Sequence, residues 1–261
     1  MTRIALRQYY REIEDLIHND QAAEAEAHCQ HIIVLYSKAI TAHRLLGKSL
    51  VGTMNYSSAG EAFLRVLACI PDDIVAHIGM SVIREATADL DAAVWHMQQA
   101  VEIQPGNEEL RSDLDRLLYR RDGIEPAKIL LTRGALARMY LRGGLHDQAL
   151  AELEAALTEE PERIDLHCLL VQVNRLAGKV EQAAHTAGVV LGKLPDCLEA
   201  NLAMDLASRI ASSSPEKNPY RLRLEALDPY YAHLSESYPS VKLVPDPLVT
   251  IEKLEWHAPE K

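Results

Sequence analysis

Aromatic residues are scarce, with one Phe, two Trp and ten Tyr among 261 residues. Sheet cores draw heavily on aromatic and β-branched side chains, so the shortage argues against a β fold. The 48% hydrophobic content, rich in Ala and Leu, fits stacked helices packed through small side chains. The four cysteines, Cys29, Cys69, Cys168 and Cys197, lie far apart with no CxxC pair. That spacing suits reduced, buried thiols and a cytoplasmic location. Positive charge is also short, since 27 Lys and Arg face 38 Asp and Glu for a net charge of −11. Such a chain is repelled by phosphate backbones, which excludes nucleic acid as the expected partner. No uncharged apolar run approaches the roughly 18 residues of a membrane span, so no membrane insertion is expected. The N-terminus lacks the apolar core and small-residue cleavage site of a signal peptide. Catalytic signatures are missing as well. The sequence contains no GxSxG, HExxH, GxxxxGK[ST] or GxGxxG, and the expectation is a non-enzyme without cofactor or metal.

What the sequence has is a period. Pro71 and Pro105 are 34 residues apart (105 − 71), as are Pro161 and Pro195 (195 − 161) and Pro195 and Pro229 (229 − 195). The residues upstream keep the same phase. Leu46 aligns with Leu136, Gly47 with Ala137, Leu50 with Tyr140, Ala59 with Ala149 and Phe63 with Leu153. Small residues let two helices approach closely, and the large ones fill the space beside them. Proline stops the second helix because it has no amide hydrogen to continue the ladder. Gly143, Gly144 and Gly178 fall at turns, where a positive φ is often required.

Period and slots together resemble the tetratricopeptide repeat (TPR) family at nearly every signature position. The resemblance implies an all-α fold, a right-handed α-solenoid of helix-turn-helix repeats with a non-repetitive C-terminal tail. Repeats are expected at 6–39, 40–73 and 74–107, making a first array over 1–107. A second array over 130–231 comprises 130–163, 164–197 and a degraded 198–231. In that last repeat Ser212-Ser-Ser-Pro-Glu-Lys-Asn-Pro219 leaves a short second helix at about 219–228. The two proline trains are out of register by 22 residues (161 − 105 = 56 = 34 + 22), so 108–129 is an insertion. Its apolar residues at 110, 114, 117 and 118 form a helical stripe, and the stretch from Arg121 to Pro126 ends it. The inserted helix either bridges the two arrays or bends a partner groove.

In the TPR family the first helix of each hairpin lines a concave groove that binds polypeptide. By resemblance the groove candidates are Arg44, Lys48, Val75, Ile78, Val82, Leu131, Arg138, Arg175 and Arg209. Arg7 and Tyr10 take equivalent slots in the first repeat. The family's carboxylate clamp is missing, because Ile78, Gly79, Leu131 and Ala135 stand where its polar residues belong. The expected ligand is an extended, apolar, somewhat acidic segment. His43, His77 and His167 share one slot in different repeats. Equivalent slots are about 10 Å apart or more, so these histidines pack rather than share a metal ion. His28 and His31 form only half a metal site and are read as surface histidines flanking Cys29.

The tail, 232–261, carries Pro239, Pro245, Pro247 and Pro259, which favour extended chain. Its Val241, Leu243, Val244, Leu248, Val249, Ile251, Leu254 and Trp256 are apolar for a free end. Three states stay open: a loose tail, docking on the protein's own repeats, or pairing with a partner as an added strand. The function expected is a scaffold or adaptor for a protein or peptide partner. The alternative is a structural subunit of a larger assembly, self-associating through the repeats or the tail.

Overall fold

A computed structural model describes residues 2–124, 131–211 and 218–257. Parts of two sequence features, the end of the break at Arg121–Pro126 and most of the Ser212–Pro219 stretch, lie outside the described residues, as does Pro259. Among the described residues the chain forms thirteen α-helices and two short strands. The strands are β1 (Arg3–Ala5) and β2 (Thr250–Glu252). The helices are α1 (Leu6–His18), α2 (Ala22–Leu35), α3 (Ile40–Gly52), α4 (Tyr56–Cys69), α5 (Ile74–Ala86), α6 (Leu90–Ile103), α7 (Glu108–Asp122), α8 (Arg133–Arg142), α9 (His146–Glu159), α10 (Ile164–Leu176), α11 (Val180–Lys193), α12 (Leu198–Ala211) and α13 (Pro219–Leu227).

The helices keep the 34-residue beat: α1, α3 and α5 begin at 6, 40 and 74, and α10 and α12 at 164 and 198. Within the first five repeats a tight turn reverses the chain. One residue of that turn takes a positive φ: Asp20 (58°), Met54 (57°), Ala88 (62°), Gly144 (72°) and Gly178 (74°), each 34 from its neighbour within an array. Gly143, beside Gly144 in the same turn, has φ −80° and does not need glycine's freedom. Just after the turns, in the first turn of the second helix, Ala25, Ala59, Ala93, Ala149 and Ala183 are buried. Gly47 faces Phe63 so closely that an added Cβ would stand 2.6 Å from the ring. The small and large slots of the sequence are thus one packing contact.

The shared histidine slot has a second role. His43 Nε2 bonds the carbonyl of Ser37 (2.9 Å), His77 that of Pro71 (3.0 Å) and His167 that of Pro161 (2.9 Å). Asn201 Nδ2 donates to the Pro195 carbonyl in the same way (3.0 Å). Each side chain satisfies a carbonyl six residues back, which the helix ladder leaves without a partner.

The chain divides into two compact units, Met1–Val66 with Pro219–Lys261, and Leu67–Asn218. The division follows packing rather than repeat count, and it assigns α12 and α13 of the sixth repeat to different units. In the first unit the tail is docked. β1 and β2 pair antiparallel with Ile4 opposite Ile251. Val244, Val249 and Ile251 are buried with Tyr230 against Leu6, Tyr9 and Ile13. Burial of each such side chain contributes about 1.5–3 kcal/mol. Arg7 fastens the tail: its Nη atoms donate to the carbonyls of Val244 and Val241 (2.7 Å each), and its guanidinium lies 3.8 Å from the Tyr230 ring centre. Asp246 pairs with Arg7 and Arg11, Lys253 with Glu12, and the Leu254 amide donates to the Tyr9 hydroxyl. Of the three states open in the sequence, the tail takes docking on its own first repeat. It does so by strand addition to its own N-terminus and covers the groove slot Arg7.

In the second unit α7 is the inserted helix. Asn107 caps its first turn through Glu109 N and Leu110 N, and Gly123 (φ 72°) ends it. Its stripe, Leu110, Leu114 and Leu117, is buried against Val94, Met97 and Val101 of α6. Arg116 and Arg120 pair with Glu85 of α5. The α8–α9–α10 core centres on Leu153, Leu166 and Val173, and that of α10–α12 on Val171, Ala187 and Val190. Among the described residues no helix is long and apolar enough to cross a membrane.

Candidate interaction site

The nine groove candidates fall in different settings. Arg44 and Lys48 belong to the first unit, and the other seven to the second. Lys48 is neutralised by Glu14 (3.0 Å), and Arg44 is half-buried. Val75 and Ile78 are half-buried, with Ile78 packed on the α6–α7 core, while Val82 is exposed. Arg175 pairs with Glu199 (2.8 Å) and Arg209 with Asp205 (3.3 Å). The row of basic side chains therefore holds its own counterions. It has little surplus positive charge to draw an acidic segment, which revises that expectation from the sequence.

Arg138 departs furthest from a groove position. Its side chain is only 6% exposed. It donates to Glu102 Oε1 (2.9 Å) and Asp165 Oδ2 (3.2 Å), with Asp72 at 3.9 Å from Nε. Arg163 joins from the loop before α10, donating to Glu102 and to both oxygens of Asp165 (2.8 Å each) and to Gln99 (3.1 Å). Thr132, the N-cap of α8, donates its hydroxyl to Glu102 Oε2 (2.7 Å). Gly134 makes room for this, because a Cβ there would collide with the Glu102 carboxylate. Burial works against ionisation of Asp165, but the ion pairs with Arg163 and Arg138 outweigh it and hold the carboxyl below its ordinary range. Burial pushes the Asp72 carboxyl up, partly opposed by Arg138. The network ties α6, α8 and the α10 start together beside the inserted helix.

Above this network is a cavity of about 460 Å³. It lies between α6, α7 and α8, with Glu160 and Arg163 at one side. Val101, Leu114, Leu118, Leu131 and Ala135 make its apolar wall. Trp95 and Leu131, 50% and 45% exposed, are at its edge with solvent. Its volume is in the range of small-ligand and side-chain sites. The cavity exists because of α7, which packs on α6 where an unbroken array would place the next repeat.

Two guanidiniums line the cavity, and they differ. Arg163 is saturated by Glu102, Asp165 and Gln99. Arg111, on α7, makes no side-chain hydrogen bond or ion pair among the described residues, and its Nε is buried without an acceptor. Of the nine candidates, only Leu131 lines the cavity, while Arg138 stands behind it through Glu102. Trp95, Gln99, Arg111 and Arg163 were missed because the family pattern directs attention to first helices. These four lie on a second helix, the insertion and a loop. The signal that could have found them is the 22-residue break in period, which forces a packing irregularity at its borders.

No protein-family model matches the chain, and no curated protein matches it. Among solved structures it is similar to the C-terminal part of a TPR repeat-containing protein from Cytophaga hutchinsonii, with TM-score 0.39 and 14% identity over 84% of this chain and 95% of that one. It is also similar to a chain in the structure of Naa15/Naa10 bound to HypK-THB, with TM-score 0.38 and 16% identity over 85% of this chain. The match spans 39% of that second chain. The fold assignment rests on this chain's own helix positions rather than on these likenesses: an all-α array of TPR-like helical hairpins, interrupted once by an inserted helix.

Proposed function

We propose that the chain is a non-catalytic interaction scaffold that holds an extended polypeptide segment, with the α6–α7–α8 cavity as its anchor point. The observation carrying this reading is the cavity itself, a concave apolar site edged by half-exposed Trp95 and Leu131. Aromatic anchors set in such pockets dominate the energetics of polypeptide recognition. Helical-hairpin arrays present extended binding surfaces of this kind. For the alternative, a structural subunit self-associating through the repeats or the tail, the tail route has less behind it, since Val244, Val249 and Ile251 are already buried on the chain's own first repeat. A reducing cytoplasmic location fits the four cysteines, all buried and none in a disulfide.

Peptide-library selection on the intact protein tests the reading, with the double variant Trp95→Ala, Leu131→Asp as counter-target. The expected outcome is enriched peptides that bind the double variant at least tenfold more weakly. Enrichment of nothing, or equal binding to both forms, defeats the proposal.

A further inference from the structure

We infer that Arg111 gives the α6–α7–α8 cavity a chemical preference: a single carboxylate carried beside an apolar side chain of the bound segment. The inference rests on the scaffold reading and adds the chemistry of what the cavity accepts.

Glu102 is spent, because Oε1 receives Arg138 and Arg163 and Oε2 receives Thr132. Arg163 is spent on Glu102, Asp165 and Gln99, and Glu160 stands 3.6 Å from it. Arg111 remains, with a buried Nε–H that finds no acceptor. A buried donor without a partner is costly, and a guanidinium matches a carboxylate in a two-point fork. Among the described residues no carboxylate pairs with Arg111, so a carboxylate brought by the ligand is the match for its guanidinium. A phosphate dianion fits poorly, because Glu102 and Glu160 also line the cavity and repel the second charge. A long acidic tract fits poorly too, because the protein carries a net charge of −11. The wall of Val101, Leu114, Leu118, Leu131 and Ala135 sets the other half of the preference, an apolar body beside the acid. Arg111 itself is on the inserted helix, outside the repeats.

The carboxylate could be a peptide's C-terminus or a Glu side chain, and matched probes separate the two. Acetyl-leucyl-leucine is compared with its C-terminal amide, and acetyl-leucyl-glutamyl-leucinamide with its glutaminyl counterpart. Binding to the intact protein is followed by the Arg111 Nε–H NMR resonance and by calorimetry. At least one acid is expected to bind tenfold or more tightly than its neutral counterpart and to shift that resonance. Arg111→Met should bring acid and amide within twofold, with an unchanged helical circular dichroism spectrum. Should that variant fail to fold, the acid–amide contrast and resonance shift in the native protein still decide. Equal binding of acid and amide, a contrast that persists in Arg111→Met, or no binding by any probe overturns the inference. If acid and amide bind equally while selected peptides still require Trp95 and Leu131, the scaffold reading stands and only the role of Arg111 falls.

Discussion

Arg138 illustrates how a side chain's neighbours decide its role. Glu102 and Asp165 share two guanidiniums, so without Arg138 these buried carboxylates keep Arg163 but lose half of their positive charge. Arg138→Met should cost about 3 kcal/mol in urea unfolding, with Arg138→Lys recovering little because a point charge cannot span two carboxylates. A second buried set responds to pH. His77 Nδ1 and His96 Nδ1 are 3.1 Å apart, and the other His77 nitrogen bonds the Pro71 carbonyl. Burial pushes His96 down to about 4, with His77 and Arg84 adding to the effect and Asp89 opposing it. Burial also lowers His77, against the Pro71 carbonyl and the nearby Asp165, Asp72 and Asp73. Both are therefore neutral in the folded protein at pH values where the unfolded chain, near 6.5, already takes up protons. Stability should fall as the pH drops from about 6.5 towards 4, by about 3 kcal/mol from His96 alone. Thermal unfolding across that range checks this, and His96→Gln should give a shallower dependence.

The elements repeat a common plan with local substitutions. At the turn between hairpin helices, Gly144 and Gly178 adopt a positive φ freely, whereas Ala88 adopts it against its Cβ. Ala88→Gly should therefore stabilise the protein by about 0.5–1 kcal/mol, the relieved strain exceeding the added unfolded-state entropy. Chemical denaturation measures it. The histidine-to-carbonyl bond recurs at a fixed offset of six residues, and the offset was present in the sequence as His43 with Ser37, His77 with Pro71 and His167 with Pro161. Reading those histidines as packing residues found their place but not their hydrogen bonds, since direction within a packed face is not visible in a one-dimensional pattern. The tail is the element that departs from the plan. Truncation after Tyr238 should bare Leu6, Tyr9 and Tyr230, lower the unfolding midpoint and increase binding of an apolar-surface dye. An unchanged midpoint would mean the tail contributes nothing to the first repeat.

At the scale of the whole chain, two compact units have separate sources of stability. One is closed by its own C-terminus around Arg7, and the other is tied by the Arg138–Glu102–Arg163 network. Hydrogen exchange should reflect this. Arg7→Met should raise exchange over Val244–Ile251 and leave α8 and α10 protected, while Arg138→Met should do the reverse. A uniform rise across both units in either variant would count against separate sources.

The sequence by itself determined the helices, their 34-residue beat, the slots where small residues meet large ones and the existence of an inserted helix. Those features depend on residue spacing and on glycine and proline backbone limits, all local properties. Most of the charge pairing was not legible: Arg175 meets Glu199 at 24 residues' separation and Arg138 meets Glu102 at 36, and only Arg209 pairs locally, with Asp205 four residues back. Nor was the tail's destination, because its apolar pattern fits any apolar surface. Only the tertiary structure decided which charges are spent on the protein itself, and that Arg111, at the cavity, has no ion-pair partner among the described residues. The reason is physical. Burial and ion pairing depend on which surfaces meet, and the inserted helix moves those surfaces out of the register that the repeats alone would set.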